Sequence, residues 1–436
     1  MLRSCLSLIF VVISSPAQVT LDASLTQPVL PAGNKQTTFL KVGLSGLSSE
    51  TPQWRAPVNV ALVIDKSSSM AGNSLEQAKK ASCEIIKTLS PQDFLSVIAY
   101  DDAVELIVPA TRVTNQDVIK DKIAKIEADG STALFTGLSR AFAEVRKFRD
   151  PQRVNRIILL SDGNANIGPN AAGELRQLGA KLIKQGISVT TIGLGDAYNE
   201  DLMTELALAS DGNHAYAQEA NQLPHLFQME FGNVLSIVAQ ELEIDIQFKA
   251  GVRPIRILGR AGDIVGQHAN VFVNQLCAQQ EKFVVLEIQV DESATDEIRH
   301  VADIGLHYRN LGTRESVNQA SRVEVSFSNS PDLISRSENR STCIDCTTLM
   351  VNDLNKRAIR LRDRGQHEDA QTLLAKGADL CSAKAAKWGC GMLKKKSLDL
   401  AERNEWIGKS VPHGQWNLYR KKMYSDWYIT ETMQSY

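Results

Sequence analysis

No surplus of positive charge marks this chain. Its 436 residues carry 48 Lys and Arg against 50 Asp and Glu, a formal net charge of -2. A surface that tracks a nucleic-acid backbone needs a clear basic excess, so no nucleic-acid partner is expected. Long apolar runs are missing as well. Past the first residues, nothing approaches the ~20 apolar positions of a membrane-spanning helix, so no transmembrane segment is expected once a leader is removed. The motifs of common catalytic sites are also absent. There is no Gly-x-Ser-x-Gly elbow, no P-loop and no dinucleotide fingerprint. His367-Glu368 is followed by Asp369-Ala370-Gln371, which leaves a His-Glu-x-x-His zinc site without its second histidine. The seven histidines are scattered. The expectation is a protein that is not an enzyme.

What is present begins with a leader. Arg3 supplies a positive start, Leu6 to Ile13 a short apolar core, and Ser15-Pro16-Ala17 small residues ahead of Gln18. This is the pattern of an export signal over residues 1–17, with an N-terminal strand as the plainer alternative. Export would leave a secreted, periplasmic or envelope-associated protein. Of seven cysteines, six follow the leader: Cys83, Cys277, Cys343, Cys346, Cys381 and Cys390. Cys83 sits in a helical pattern and reads as a small buried residue. The two-residue spacing of Cys343 and Cys346, with Cys381 and Cys390 later, suits either two disulfides or a structural zinc. Export favours disulfides.

Residues 18–55 have β character, with alternation at Thr38-Phe39-Leu40-Lys41-Val42 and no local partner strand. From Val58 the pattern changes. Val58 to Ile64, Phe94 to Tyr100, Val154 to Leu160 and Ile187 to Leu194 are nearly continuous apolar runs, as strands buried on both faces must be. Helical patterns alternate with them at Ser74–Leu89, Asn115–Glu127, Ala133–Arg149 and Ala171–Gln185. The short turn Asp101-Asp102-Ala103 makes Val104–Val108 an antiparallel edge strand. This alternation over 56–239 predicts an α/β fold with a doubly wound, mostly parallel, Rossmann-like sheet. After Gln240 the chain alternates strictly in Leu242 to Phe248, and further strands follow to residue 330 with no helix between them. That predicts an antiparallel β-sandwich, joined by the orphan strands of 18–55, into which the parallel-sheet domain is inserted. Residues 345–403 read as one helical hairpin of tetratricopeptide type. The aromatic tail 404–436, with Arg420-Lys421-Lys422, yields no assignment.

The chemistry concentrates at strand ends. Asp65-Lys66-Ser67-Ser68-Ser69 follows the first buried strand. Asp162, in Ser161-Asp162-Gly163, follows the fourth. Thr132, in Asp129-Gly130-Ser131-Thr132, opens the helix between strands three and four. In a sheet of order 3-2-1-4-5-6, strands one and four are neighbours, and the crevice beyond their C-terminal ends is the ligand site. Asp65, Ser67, Ser69, Thr132 and Asp162 thus bring oxygen ligands to one place. Two carboxylates, three hydroxyls and water suit a small hard cation, Mg²⁺ before Mn²⁺ or Ca²⁺. Neutral hydroxyl ligands leave the ion residual charge, so an open position could take an Asp or Glu of a protein partner. The competing reading has the hydroxyls capping helices and Asp162 shaping a turn. Asp101 and Asp102 are candidates for a second ion, set against a solvated hairpin turn.

Val63-Ile64-Asp65-Lys66-Ser67-Ser68-Ser69-Met70, Gly130-Ser131-Thr132-Ala133-Leu134 and Leu160-Ser161-Asp162-Gly163 resemble the von Willebrand factor type A family. The family's metal-ion-dependent adhesion site uses Asp-x-Ser-x-Ser, a Thr and an Asp, and all five have counterparts here. The resemblance covers about Ala56 to Ala239, and the flanking order resembles secreted bacterial members. It implies metal-dependent protein binding, in adhesion or complex assembly. Two other readings stay open: a scaffold subunit of a secreted or envelope complex, and an accessory to a hydrolase.

Overall fold

The computed structural model describes residues 18–48, 55–163, 171–409 and 411–434. The export-signal segment 1–17 lies outside the described residues. Three strands come first: β1 (Val19–Leu25), β2 (Val29–Pro31) and β3 (Gln36–Gly46). The next stretch alternates. It runs β4 (Val58–Asp65), α1 (Asn73–Thr88), β5 (Phe94–Tyr100), β6 (Val104–Arg112), α2 (Gln116–Ala124), α3 (Leu134–Lys147), β7 (Val154–Ser161), α4 (Ala172–Ile183), β8 (Ile187–Leu194), α5 (Glu200–Ala209), β9 (His214–Ala217) and α6 (Leu223–Leu235).

Every residue of β4, β5, β7 and β8 is buried, as their unbroken apolar runs require. The sheet order is β6-β5-β4-β7-β8-β9, parallel throughout except for the antiparallel edge strand β6. Val58, Val60, Leu62 and Ile64 of β4 face a core shared with α1, α2 and α6. Ala61 and Val63 face a second core under α3, α4 and α5. This is the doubly wound sheet anticipated from the alternation.

Seven strands follow: β10 (Ile237–Phe248), β11 (Val252–Leu258), β12 (Gly262–Val265), β13 (His268–Cys277), β14 (Glu281–Val290), β15 (Ile298–Asn310) and β16 (Ser316–Ser328). They and the first three strands form two sheets, β1-β3-β14-β11 and β12-β13-β10-β15-β16-β2. Leu40 and Val42 of β3, Leu286 and Ile288 of β14, Ile244 of β10 and Ile304 of β15 meet in one core. β3 pairs with β14 in antiparallel register, Leu40 opposite Leu286. The expectation of no local partner is corrected for β1, which pairs antiparallel with β3, while β3 and β2 find partners in β14 and β16 after the parallel sheet, which is inserted between the halves of a sandwich. One pair departs from the antiparallel expectation: the short β2 lies parallel to β16.

The C-terminal region is more helical than the sequence conveyed. Beyond α7 (Pro331–Arg336) stand α8 (Arg340–Asp363), α9 (His367–Trp388), α10 (Gly391–Gly408) and α11 (His413–Thr432). The hairpin of 345–403 is three helices rather than two, and the unassigned tail supplies a fourth. Trp416, Tyr424 and Tyr428 recur at multiples of four residues and present one buried face. They share a core with Ile359, Leu374, Leu400 and Ala207 of α5, so the bundle docks on the parallel-sheet domain.

The cysteine expectation is corrected. All six described thiols are free, and among the described residues no three His, Cys, Asp or Glu side chains gather as a metal group. Cys346 packs beside Leu258, Val285 and Leu349 against the sandwich, whereas Cys381 lies in the helical core with Cys390 at its border. The two pairs belong to different cores, which is why neither cross-bridges nor a zinc cluster form. Cys83 is half-buried rather than buried.

Candidate metal centre

β4 ends at Asp65, whose side chain is wholly buried. Its Oδ1 accepts the Ser67 backbone N–H at 2.9 Å, which turns the chain back as soon as the strand stops. Its Oδ2 accepts the Ser161 hydroxyl at 2.8 Å and the Tyr100 hydroxyl at 3.2 Å. Those partners come from β7 and β5, the strands on either side, so the register of the sheet fixes the carboxylate.

The turn after Asp65 is a single 3-10 turn, Ser68–Met70. It brings the Ser67 and Ser69 hydroxyls to 3.1 Å of each other. Ser69 donates to Asp162 Oδ1 at 2.7 Å, joining the loops after β4 and β7. Thr132, almost fully buried, comes from the third loop. A Cβ placed on Gly163 would lie 3.1 Å from the Thr132 hydroxyl and 3.9 Å from that of Ser69. Thr132 therefore sits against the same point of the Asp162 loop, and Gly163 allows the approach. The structure brings all five sequence-predicted residues together.

The third loop is tied down by residues the sequence reading assigned otherwise. Gly130 has φ +68°, and its carbonyl accepts Ser68 N–H at 3.1 Å. Asp102 accepts Ser131 N–H at 2.6 Å, and Asp101 is ion-paired with Lys66 while accepting Ala103 N–H at 2.8 Å. Both acids of the β5–β6 turn are thus engaged in holding loops, not gathered as a second ion site. Lys66, the one basic residue of the Asp-x-Ser-x-Ser segment, points to Asp101. Tyr100 and Ser161 were missed as members of the centre. The signal for both was position: each ends a strand adjacent to β4, with Tyr100 paired directly with Asp65.

The electrostatics are those of an uncompensated acid pair. Among the described residues no Lys, Arg or His forms an ion pair with Asp65 or Asp162, and their hydrogen bonds come from hydroxyls and one amide. Burial pushes the Asp65 carboxyl above its usual range, against the opposing effect of its hydrogen bonds. Asp162 is pushed up to about 6 by burial and by the charge of Asp65, with the Ser69 hydrogen bond working the other way. Two carboxylates, three hydroxyls and no resident counter-charge form a donor set that fits a hard divalent cation. The N-terminus of α3 begins two residues after Thr132, adding positive potential beside the cluster.

Residues 59–229 match the family model of the von Willebrand factor type A domain. Over 248 residues, 55% of this chain and 58% of the relative, the sequence is 28% identical to the uncharacterized protein sll0103 of Synechocystis. Over 300 residues, 64% of this chain and 38% of the relative, it is 28% identical to the E3 ubiquitin-protein ligase WAV3 of Arabidopsis thaliana. The chain spans about half the length of the curated relatives it matches. A solved von Willebrand factor type A protein from Catenulispora acidiphila superposes with a TM-score of 0.68 at 15% identity, covering 88% of this chain and 91% of that one. The superposition extends the likeness of fold to the flanking sheets and helices. Sheet order, strand-end loops and family match agree: residues 59–229 of this chain are a von Willebrand factor type A domain.

Proposed function

We propose that this domain binds a protein partner through a divalent metal ion held by Asp65, Ser67, Ser69, Thr132 and Asp162. Von Willebrand factor type A domains are typically modules of adhesion or protein–protein interaction, and the present centre has the residues for it. The observation that carries the reading is the pair of buried carboxylates, joined through Ser67 and Ser69, that no basic side chain among the described residues neutralises. Magnesium is the expected ion, with Mn²⁺ or Ca²⁺ as substitutes, since all three accept oxygen donors. When bound, the ion would offer a coordination position to an Asp or Glu of the partner. The residues of the chain do the rest. Ser161, Tyr100 and the Ser67 amide orient Asp65, Ser69 orients Asp162, and Asp102 holds the Thr132 loop in place.

The protein in this reading is not an enzyme, and it acts outside the cytoplasm, as a secreted, periplasmic or envelope-associated adhesion or assembly protein. Residues 56–239 act as the binding unit, carried by the sandwich of 18–55 and 240–330. Calorimetry on the wild type and Asp65→Ala tests the metal. One divalent ion bound by the first and none by the second is expected, and equal binding by both would remove the assignment. A pull-down from the source organism's envelope with and without EDTA tests the partner. A partner retained equally in EDTA would detach the metal from the function.

A further inference from the structure

The turn between α9 and α10 is rich in lysine, with Asp379 and Asp399 at its borders. Across the whole chain acids outnumber Lys and Arg by two, 50 against 48. From Leu380 to Leu398 the sequence holds Lys384, Lys387, Lys394, Lys395 and Lys396 and not one Asp, Glu or Arg. Lys396 turns inward beside Asp399 and Asp426, and Lys387 pairs with Glu338 at 2.6 Å. Lys394 and Lys395 are exposed, and Lys384 stands 4.9 Å over the half-buried Trp388 ring. Large apolar side chains project among them. Met392 is 56% exposed and Leu398 64%, among the most exposed large apolar residues in the structure. Leu398 also borders a groove of about 540 Å³ lined by Ser382, Ala385, Ala386 and Gly389.

The tip has a defined place relative to the metal centre. At the other end of α10, Trp406 stacks on Tyr419 at 4.7 Å and shares a cleft with Tyr216. Tyr216 pairs with Gly193, and Gly193 with Ser161, the neighbour of Asp162. The C-terminal end of α10 therefore lies at the edge of the sheet that carries the loop cluster. The helix has 18 residues, so its N-terminal tip lies about 27 Å away along its axis.

We propose that the α9–α10 tip docks on an anionic phospholipid bilayer, with the loop cluster of Asp65 and Asp162 held away from the lipid. Lysine stems lie along apolar surface while their ammonium groups reach phosphates, and Met392 and Leu398 enter the headgroup boundary. The exposed Met392 and Leu398 among the lysines favour lipid over an acidic protein, because a bilayer boundary takes up both the ammonium groups and the apolar side chains. The small-residue groove beside Leu398 can take part of an acyl chain.

Flotation of the full chain with vesicles tests this. Phosphatidylcholine vesicles containing phosphatidylglycerol should carry the protein, pure phosphatidylcholine vesicles should not, and high salt should release it. EDTA should have no effect, which separates this result from the metal reading. The Lys394→Glu/Lys395→Glu pair should lower the bound fraction by about tenfold or more, and Leu398→Asp should also lower it. All of these residues are exposed, so unchanged unfolding midpoints are expected to certify the fold. Lys376→Glu, an exposed change on α9 outside the turn, should bind as the wild type does. Equal binding to both vesicle types, or full binding by the double variant, would overturn the proposal. Binding to soluble polyglutamate without binding to vesicles would overturn it in favour of an acidic protein.

Discussion

Two acid clusters on the same sheet domain, one with Asp65 and Asp162 buried and the other with Glu200 buried, are treated in opposite ways. At the loop cluster, Asp65 and Asp162 are held by hydroxyls and an amide, with no basic side chain in an ion pair among the described residues. At the start of α5, Glu200 and Asp201 meet Arg420 and Lys421 of α11. Arg420 reaches Asp201 and Asp363, each at 2.9 Å, and also pairs with Glu200. Lys421 pairs with Glu200 and donates to the Tyr198 carbonyl at 2.8 Å. Burial alone would lower the Arg420 pKa, but Asp363, Asp201 and Glu200 hold it above its ordinary value. The chain neutralises buried acid with its own cations where a helix must be locked to the domain. It leaves acid unneutralised where three loops meet at the sheet edge, as a site that takes its cation from solution would.

The largest effect should come from breaking the compensated cluster. Replacing both Arg420 and Lys421 by Met leaves the buried Glu200 without a cation and should cost about 3 kcal/mol or more in denaturant unfolding. Because Tyr428, Trp427 and Trp416 ride on the same helix, bundle and domain should then unfold in separate transitions. A single transition within about 0.5 kcal/mol of the wild type would mean that the aromatic core alone holds the helix. Next in size is the response of the other cluster to metal. Magnesium at about one hundred times its dissociation constant should stabilise the wild type by about 2.7 kcal/mol. Asp65→Ala should show no such gain in thermal melts. If both proteins respond alike, the loop cluster is not where the ion binds.

The loop cluster was legible in the sequence and the α5–α11 lock was not, for a physical reason. Asp65, Ser67 and Ser69 fall within five residues, and their strand is an unbroken apolar run, so sheet order alone predicts that Thr132 and Asp162 join them. The sandwich was legible for a similar reason, since strict alternation at Leu242–Phe248 and orphan strands at 18–55 left few topologies. Arg420 and Glu200 are separated by more than half the chain, and no local pattern announces a pairing between them. The tail hid its helix because its buried face is aromatic and basic, Trp416, Lys421, Tyr424 and Tyr428, rather than aliphatic. The cysteines misled because spacing says nothing of which core each thiol enters.

A pH titration sharpens the comparison at the same helix contact. His214 is fully buried on β9, bonded to the Thr191 hydroxyl at 2.9 Å and edge-on to Tyr428. Burial, and then the charge of Lys421, lower its pKa to about 3. The unfolded chain therefore takes up this proton first, at its ordinary pKa of about 6.5. Stability is fully present above that pH and falls as pH drops, levelling off near the folded value. Between pH 6.5 and 4.5 the loss from this one group should be about 2 kcal/mol. His214→Gln should flatten that part of the pH–stability profile. An unchanged slope would assign the acid sensitivity to other groups.

The smallest predicted change has the opposite sign to the loss at Arg420 and Lys421. In EDTA, Asp65→Asn removes one of two like charges while keeping the size of the side chain. The Asn carbonyl can still accept the Ser67 amide, and the Ser161 and Tyr100 hydroxyls can turn to accept from its amide. What disappears is the burial cost of a charge and its repulsion of Asp162. The metal-free variant should therefore be as stable as the metal-free wild type or more stable, by up to about 1 kcal/mol. Adding magnesium should reverse the order, because only the wild type gains from the ion. Denaturant unfolding of both proteins, with EDTA and with magnesium, gives the four midpoints needed. A variant that is less stable in both conditions would make Asp65 a loop-holding residue first, with its carboxylate no different in kind from that of Asp101.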